Sequence, residues 1–175
     1  MQDATSAKRA AGARSAQAHD ATEAATRRLI EVYEHLSADG LSQLQRCYAP
    51  DAHFRDPFND VRGLPAITRV FVHMFETLEQ PRFVVTGHLA QAGQAFLYWE
   101  FHFRLRRWRT HVAQCIQGAT LVRFDEQGRV CWHRDYWDAA QGLYEQFPVL
   151  GGLMRWLRRS ASAHAQPHAS MTANG

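Results

Sequence analysis

The stretch Tyr48-Ala-Pro-Asp-Ala-His-Phe-Arg-Asp56-Pro57-Phe58 decides how this chain is read. Pro50-Asp51 breaks the preceding helical pattern, and residues 52–55 leave room for only a short strand before Asp56-Pro57 turns the chain. Asp56 thus stands at a strand end among apolar and aromatic neighbours. A carboxylate there either closes the turn before Pro57 or acts as a general base tuned by desolvation.

Upstream of this stretch, Leu29, Ile30, Tyr33 and Leu36 recur at three- and four-residue spacing, which predicts an amphipathic helix over about 21–37. Asp39-Gly40 stops it, and Leu41, Leu44, Cys47 and Tyr48 mark a second, shorter helix. Downstream, Gly63 precedes a third helix whose Pro65 sits in the first turn, a favoured place for proline. Its apolar set is Ile67, Val70, Phe71, Met74, Phe75 and Leu78.

The period then switches. Residues 82–90, 94–108, 112–125 and 129–138 are rich in β-branched and aromatic types and read as strands. Trp99, Phe101, Phe103 and Leu105 alternate with Glu100, His102, Arg104 and Arg106, so the second set is expected on the outer face. Residues 125–128 form a tight hairpin turn. A last helical stretch from about 139 is interrupted near Pro148 and Gly151-Gly152 and ends at Leu157. Arg155, Arg158 and Arg159 beside Trp156 fit a solvated basic helix end.

Three helices followed by long antiparallel strands define an α+β fold with the helices on one face. A strongly curved sheet around helices makes a cone with a pocket at its open end, where small ligands bind. The expected domain covers 21–159, with disordered tails at 1–20 and 160–175 that have too little apolar surface to offset ordering.

Twenty basic against 17 acidic residues is too even a balance for a nucleic-acid partner. No apolar run approaches the ~20 residues that stable membrane insertion needs, and no secretory leader is recognisable. Cys47, Cys115 and Cys131 lack Cys-x-x-Cys spacing and read as reduced thiols of a cytoplasmic protein. His53 and His133 with Asp56 and Asp135 lack ligand spacing, so no metal is expected, and no phosphate-binding glycine loop or nucleotide fingerprint calls for a cofactor.

The order of elements, and several strings, resemble the nuclear-transport-factor-2-like superfamily, within it the ketosteroid isomerases and SnoaL-like polyketide cyclases. The strings are Tyr48-Ala-x-Asp-Ala-x-x-x-Asp56-Pro57-Phe58, Gly63 before the third helix, Arg123-Phe-Asp-Glu-x-Gly-Arg129 and Tyr136-Trp137, spread over about 22–140. The resemblance implies a cone-shaped α+β barrel, a small apolar ligand and a homodimer formed through the sheet.

It also implies roles. Asp56 matches the isomerases' proton-shuttling aspartate, and Tyr33 lies within one residue of their oxyanion-hole tyrosine. Thr120 stands where those isomerases place a protonated acid, and a hydroxyl is the weaker donor. His133, Asp135 and Trp137 share one strand face by period two, and the resemblance makes it the cavity face. The run Trp132-His-Arg-Asp135-Tyr-Trp-Asp138 also resembles the last strand of limonene-epoxide-hydrolase-like proteins, where an aspartate activates water. Asp56, Asp135, Tyr33 and His133 are therefore the catalytic candidates, with Trp137, Thr120, Trp99, Phe58 and Phe71 as the pocket wall. The chemistry implied is proton transfer beside a carbonyl, in an isomerase or cyclase. The alternatives are an epoxide hydrolase working through Asp135 and a non-catalytic ligand-binding or dimerising module.

Overall fold

The buried positions of the first helix are Thr22, Ala25, Thr26, Leu29 and Val32, a stripe at helical spacing that lies against the sheet. Helix α1 spans Gln2–Glu34 in the computed structural model, which describes residues 2–106 and 112–138. Residues 2–20, expected as a tail, are helical. Alanine, the strongest helix former, is frequent there and carries the helix beyond its packed part. The two buried threonines bond back along the helix, Thr22 Oγ1 to the Ala18 carbonyl and Thr26 Oγ1 to that of Thr22, both at 2.8 Å.

A 3-10 helix follows at Ala38–Arg46, where the Ser37 side chain accepts the Gly40 N–H at 3.1 Å. The expected second helix ran on to Tyr48, whereas Tyr48 already opens strand β1 (Tyr48–Arg55). Strand β2 (Asp60–Arg62) turns back beside it, a short pairing that the sequence pattern did not reveal. Gly63 takes a φ of 85°, a left-handed conformation costly for other residues. Its N–H reaches the Ala52 carbonyl at 2.8 Å. Helix α2 (Leu64–Thr77) starts there and buries Ile67 and Phe71. The long strands are β3 (Leu78–Gln91), β4 (Gln94–Leu105), β5 (Gln114–Phe124) and β6 (Val130–Trp137).

The six strands form one curved, unclosed sheet in the order β2-β1-β6-β5-β4-β3. One pairing departs from the expected antiparallel pattern: β1 runs parallel to β6, with His53 opposite Trp132 and Phe54 opposite His133. A parallel neighbour requires a long crossover, and the chain from β2 to β5 supplies it. Ala95, Leu97, Trp99 and Phe103 of β4 point into the core, as their alternation predicts. Leu97 and Trp99 line one small cavity with Leu29 of α1, while Phe71 of α2 packs against Tyr33 and Phe54.

Polar clamps hold α1 over that concave face. Arg28 donates to the Gly128 carbonyl in the β5–β6 turn at 2.5 Å, and the Gly93 N–H in the β3–β4 turn donates to Thr22 Oγ1 at 3.1 Å. Further along, the Val85 N–H donates to Glu34 at 2.9 Å. Among the described residues no helix is long and apolar enough to cross a membrane. The expected helical stretch after residue 138, its Trp156 and arginines, and the 160–175 tail lie outside the described residues.

Candidate functional site

Strand β6 carries His133 and Asp135 on its inward face, and the antiparallel register sets Thr120 of β5 directly opposite Asp135. His133 is 1% exposed and the Asp135 side chain 17%. Burying two such polar groups is costly unless each is hydrogen-bonded. Both are. Asp135 Oδ1 accepts from Thr120 Oγ1 at 2.5 Å and from His133 Nε2 at 2.9 Å. His133 Nδ1 lies 2.8 Å from the Tyr48 hydroxyl, which lies 2.6 Å from that of Tyr33. On the other flank Trp99 Nε1 donates to Thr120 Oγ1 at 2.7 Å.

These bonds form one continuous chain. The Trp99 indole can only donate, so the Thr120 hydroxyl passes its own hydrogen to Asp135. With His133 neutral and protonated at Nε2, its Nδ1 accepts from Tyr48, which in turn accepts from Tyr33. Every donor then points toward Asp135 Oδ1. Burial pushes both tyrosine hydroxyls well above their ordinary pKa, with the Asp135 charge adding to the effect, so both stay protonated. Asp135 Oδ2 has no hydrogen-bond partner among the described residues.

The indole of Trp99 lies against Gly118. A Cβ at that position would stand 2.3 Å from the ring, so only glycine admits the approach. Aromatic contacts brace the other side. The His133 ring stacks on Phe54 at 4.6 Å, and Tyr33 meets Phe71 and Phe83 edge to face at 5.7 and 5.4 Å.

Between these groups lies a cavity of about 20 Å³, walled by Tyr33, Phe83, Trp99, Thr120, His133 and Asp135 together with Leu29, Val85 and Leu97. That is room for about one water molecule.

The structure thus gathers five sequence candidates, Tyr33, Trp99, Thr120, His133 and Asp135, around one space. Asp56 is not among them. Its Oδ1 accepts the N–H groups of Phe58 and Asn59 at 2.6 Å each, and the Asn59 side-chain amide binds both carboxylate oxygens. This is the turn-closing arrangement. Phe58 is half exposed and packs against Trp137 at 5.3 Å, so this pair flanks the β1–β2 turn. Phe71 stands behind Tyr33 and does not line the cavity. His53 pairs with Asp60 at 2.5 Å, and that hydrogen bond holds the Asp60 carboxyl below its usual range. Among the described residues His53 and Asp56 do not converge with His133 and Asp135 on a metal position.

Tyr48, the central link of the chain, is not among the sequence candidates, because its spacing from Leu41 and Leu44 fits an apolar helix position although it opens β1. Its signal was present in the string that opens with it.

The SnoaL-like domain model matches residues 29–133, well over half of the chain. No curated protein matches. Among solved structures, AclR from Streptomyces galilaeus, a candidate hydroxylase, is similar at a TM-score of 0.60 and 14% identity, over 86% of this chain and 99% of that one. A candidate SnoaL-like polyketide cyclase from Shewanella denitrificans OS-217 is similar at 0.59 and 16%, over 71% and 95%. A ketosteroid-isomerase-like fold from Catenulispora acidiphila DSM 44928, solved in complex with trimethylamine, is similar at 0.58 and 13%, over 70% and 90%. At such identities the likeness concerns the fold, which here agrees with the family match, and the chain belongs to the SnoaL-like domain family.

Proposed function

We propose that this protein binds a small apolar carbonyl compound and moves a proton at the carbon beside its carbonyl, with Asp135 as the base and no cofactor. The observation that carries this reading is the hydrogen-bond chain that ends on Asp135 Oδ1 and leaves Oδ2 unpartnered at the cavity wall. A carboxylate held by one oxygen keeps its orientation while the other takes the proton. His133 and Thr120 are positioning residues in this scheme, since each acts through Asp135.

The developing enolate needs a donor, and Tyr33 is the cavity-wall hydroxyl that does not bond Asp135, since that of Thr120 does. The Tyr48–His133 and Tyr33–Tyr48 hydrogen bonds can also run the other way, His133 Nδ1–H donating to Tyr48 and Tyr48 to Tyr33, and the Tyr33 hydrogen then turns to the ligand oxygen. Asp56 takes no part in this scheme and closes the β1–β2 turn.

A second reading, a ligand-binding module without chemistry, is favoured by the size of the cavity. About 20 Å³ holds a water and no organic ligand, so side chains must move before anything larger enters. Water activation by Asp135, as in an epoxide hydrolase, has less support, because Thr120 and Trp99 rather than a cation share the site with it.

The test is hydrogen–deuterium exchange at the α-carbons of a panel of apolar ketones, followed by proton NMR. The protein should accelerate exchange for at least one ketone, and Asp135→Asn should lower that rate by about 10²- to 10⁴-fold. Asp56→Asn should leave it within a factor of a few. Ketones that bind without exchanging would establish the non-catalytic reading.

A further inference from the structure

On the outer face of the sheet, β4 and β5 bring together a second group of polar side chains. His102 and Cys115 are direct cross-strand partners, and Glu100 stands two residues before His102 on the same face. His102 Nε2 lies 3.1 Å from Glu100 Oε2 and 3.9 Å from Cys115 Sγ. The three donor atoms all fall within 4.8 Å of one another. The other Glu100 oxygen accepts from Gln117 Nε2 at 3.2 Å.

We propose that Glu100, His102 and Cys115 form a binding site for a zinc-class divalent cation on the outer face of the β4–β5 pair. A tetrahedral ion with bonds of ~2.0 Å to nitrogen or oxygen and ~2.3 Å to sulfur sets neighbouring ligands roughly 3.3–3.6 Å apart. The separations given above bracket that range, so small side-chain rotations bring all three donors onto one ion. One thiolate, one imidazole and one carboxylate suit borderline-soft zinc and not magnesium or calcium, which take oxygen donors. Gln117 holds the free carboxylate oxygen, the kind of supporting contact that orients a metal ligand.

A divalent ion between the Glu100 carboxylate and the Cys115 sulfur offsets the carboxylate charge and draws the thiolate onto the metal. Arg82, opposite His102 on β3, opposes the ion, but it is solvent-exposed and its charge is screened. His102 and Glu100 are each about one-third exposed, which leaves the fourth position open to water. The site lies across the sheet from the cavity, so it binds metal whether or not the cavity is catalytic.

Cobalt(II) titration of the metal-free full chain tests this, because a thiolate ligand produces a sulfur-to-cobalt charge-transfer absorption. The band should saturate at one equivalent and disappear on adding zinc. Cys115→Ser should abolish it and Cys131→Ser should preserve it. His102→Ala and Glu100→Gln should each weaken binding by about tenfold or more. Zinc should raise the melting temperature of the wild type and of Cys131→Ser, and not that of Cys115→Ser. No thiolate band, or a band that survives Cys115→Ser, would overturn the proposal. Zinc would then be held elsewhere among the chain's ten histidines and other cysteines, if at all.

Discussion

Gly118 has no side chain, and the position of Trp99 depends on that. The Trp99 indole occupies the volume a β-carbon would need, and its N–H fixes the Thr120 hydroxyl that in turn holds Asp135. Gly118→Ala must therefore push the indole aside and break the first bond of the chain. Overpacking of this kind costs about 1–3 kcal/mol. Denaturant unfolding should show that loss, and tryptophan fluorescence should report a changed Trp99 environment. A variant with unchanged stability and spectrum would mean that the indole has another place to go. At this scale the sequence was informative about faces and silent about partners. Period two put His133 and Asp135 on one face, and helical spacing put Tyr33 among buried residues. Which oxygen of Asp135 is bound, and by whom, depends on the register between β5 and β6, which no local pattern records.

Asp56 shows the same limit at the level of the element. Its string fits a catalytic aspartate and a turn-closing one equally well, because both need a carboxylate at a strand end before proline. The choice was made by Asn59, three residues on, whose backbone and side-chain amides both reach back to the carboxylate. The pairing it closes, β1 with the three-residue β2, was too short to leave an alternation, and the 3-10 helix before β1 concealed that Tyr48 is a strand residue. The long strands were legible because they alternate over many residues. Asp56→Ala removes several hydrogen bonds from one exposed turn and should cost about 1–2 kcal/mol. Chemical unfolding measures that loss. The Asp135-dependent exchange rate, measured on the folded variant, should be unaffected, whereas a loss comparable to that of Asp135→Asn would return Asp56 to the chemistry.

Across the whole unit, α1 is joined to β1 and to Cys47 just before it through groups that are buried in their neutral forms. Cys47 is 2% exposed, its thiol faces the Arg28 carbonyl of α1 at 3.6 Å, and burial pushes its pKa from 9.0 up to about 11. Tyr33 of α1 and Tyr48 of β1 share a hydrogen bond and are also raised by burial. A neutral acid whose pKa is higher in the folded chain stabilises the fold fully below its unfolded value, and that contribution is lost as pH rises toward the folded value. For Cys47 the window runs from about pH 9 to about 11, and the tyrosines extend the loss above it. Stability should therefore fall with alkalinity as the contact between α1 and β1 weakens. Melting temperatures measured from neutral pH to about 11 should decline more steeply for the wild type than for Cys47→Ala between pH 9 and 11. The cavity left by that substitution lowers stability at every pH, so it shifts the curve without changing its slope. Parallel curves would mean that the Cys47 thiolate is tolerated in place and that the tyrosines alone set the alkaline limit.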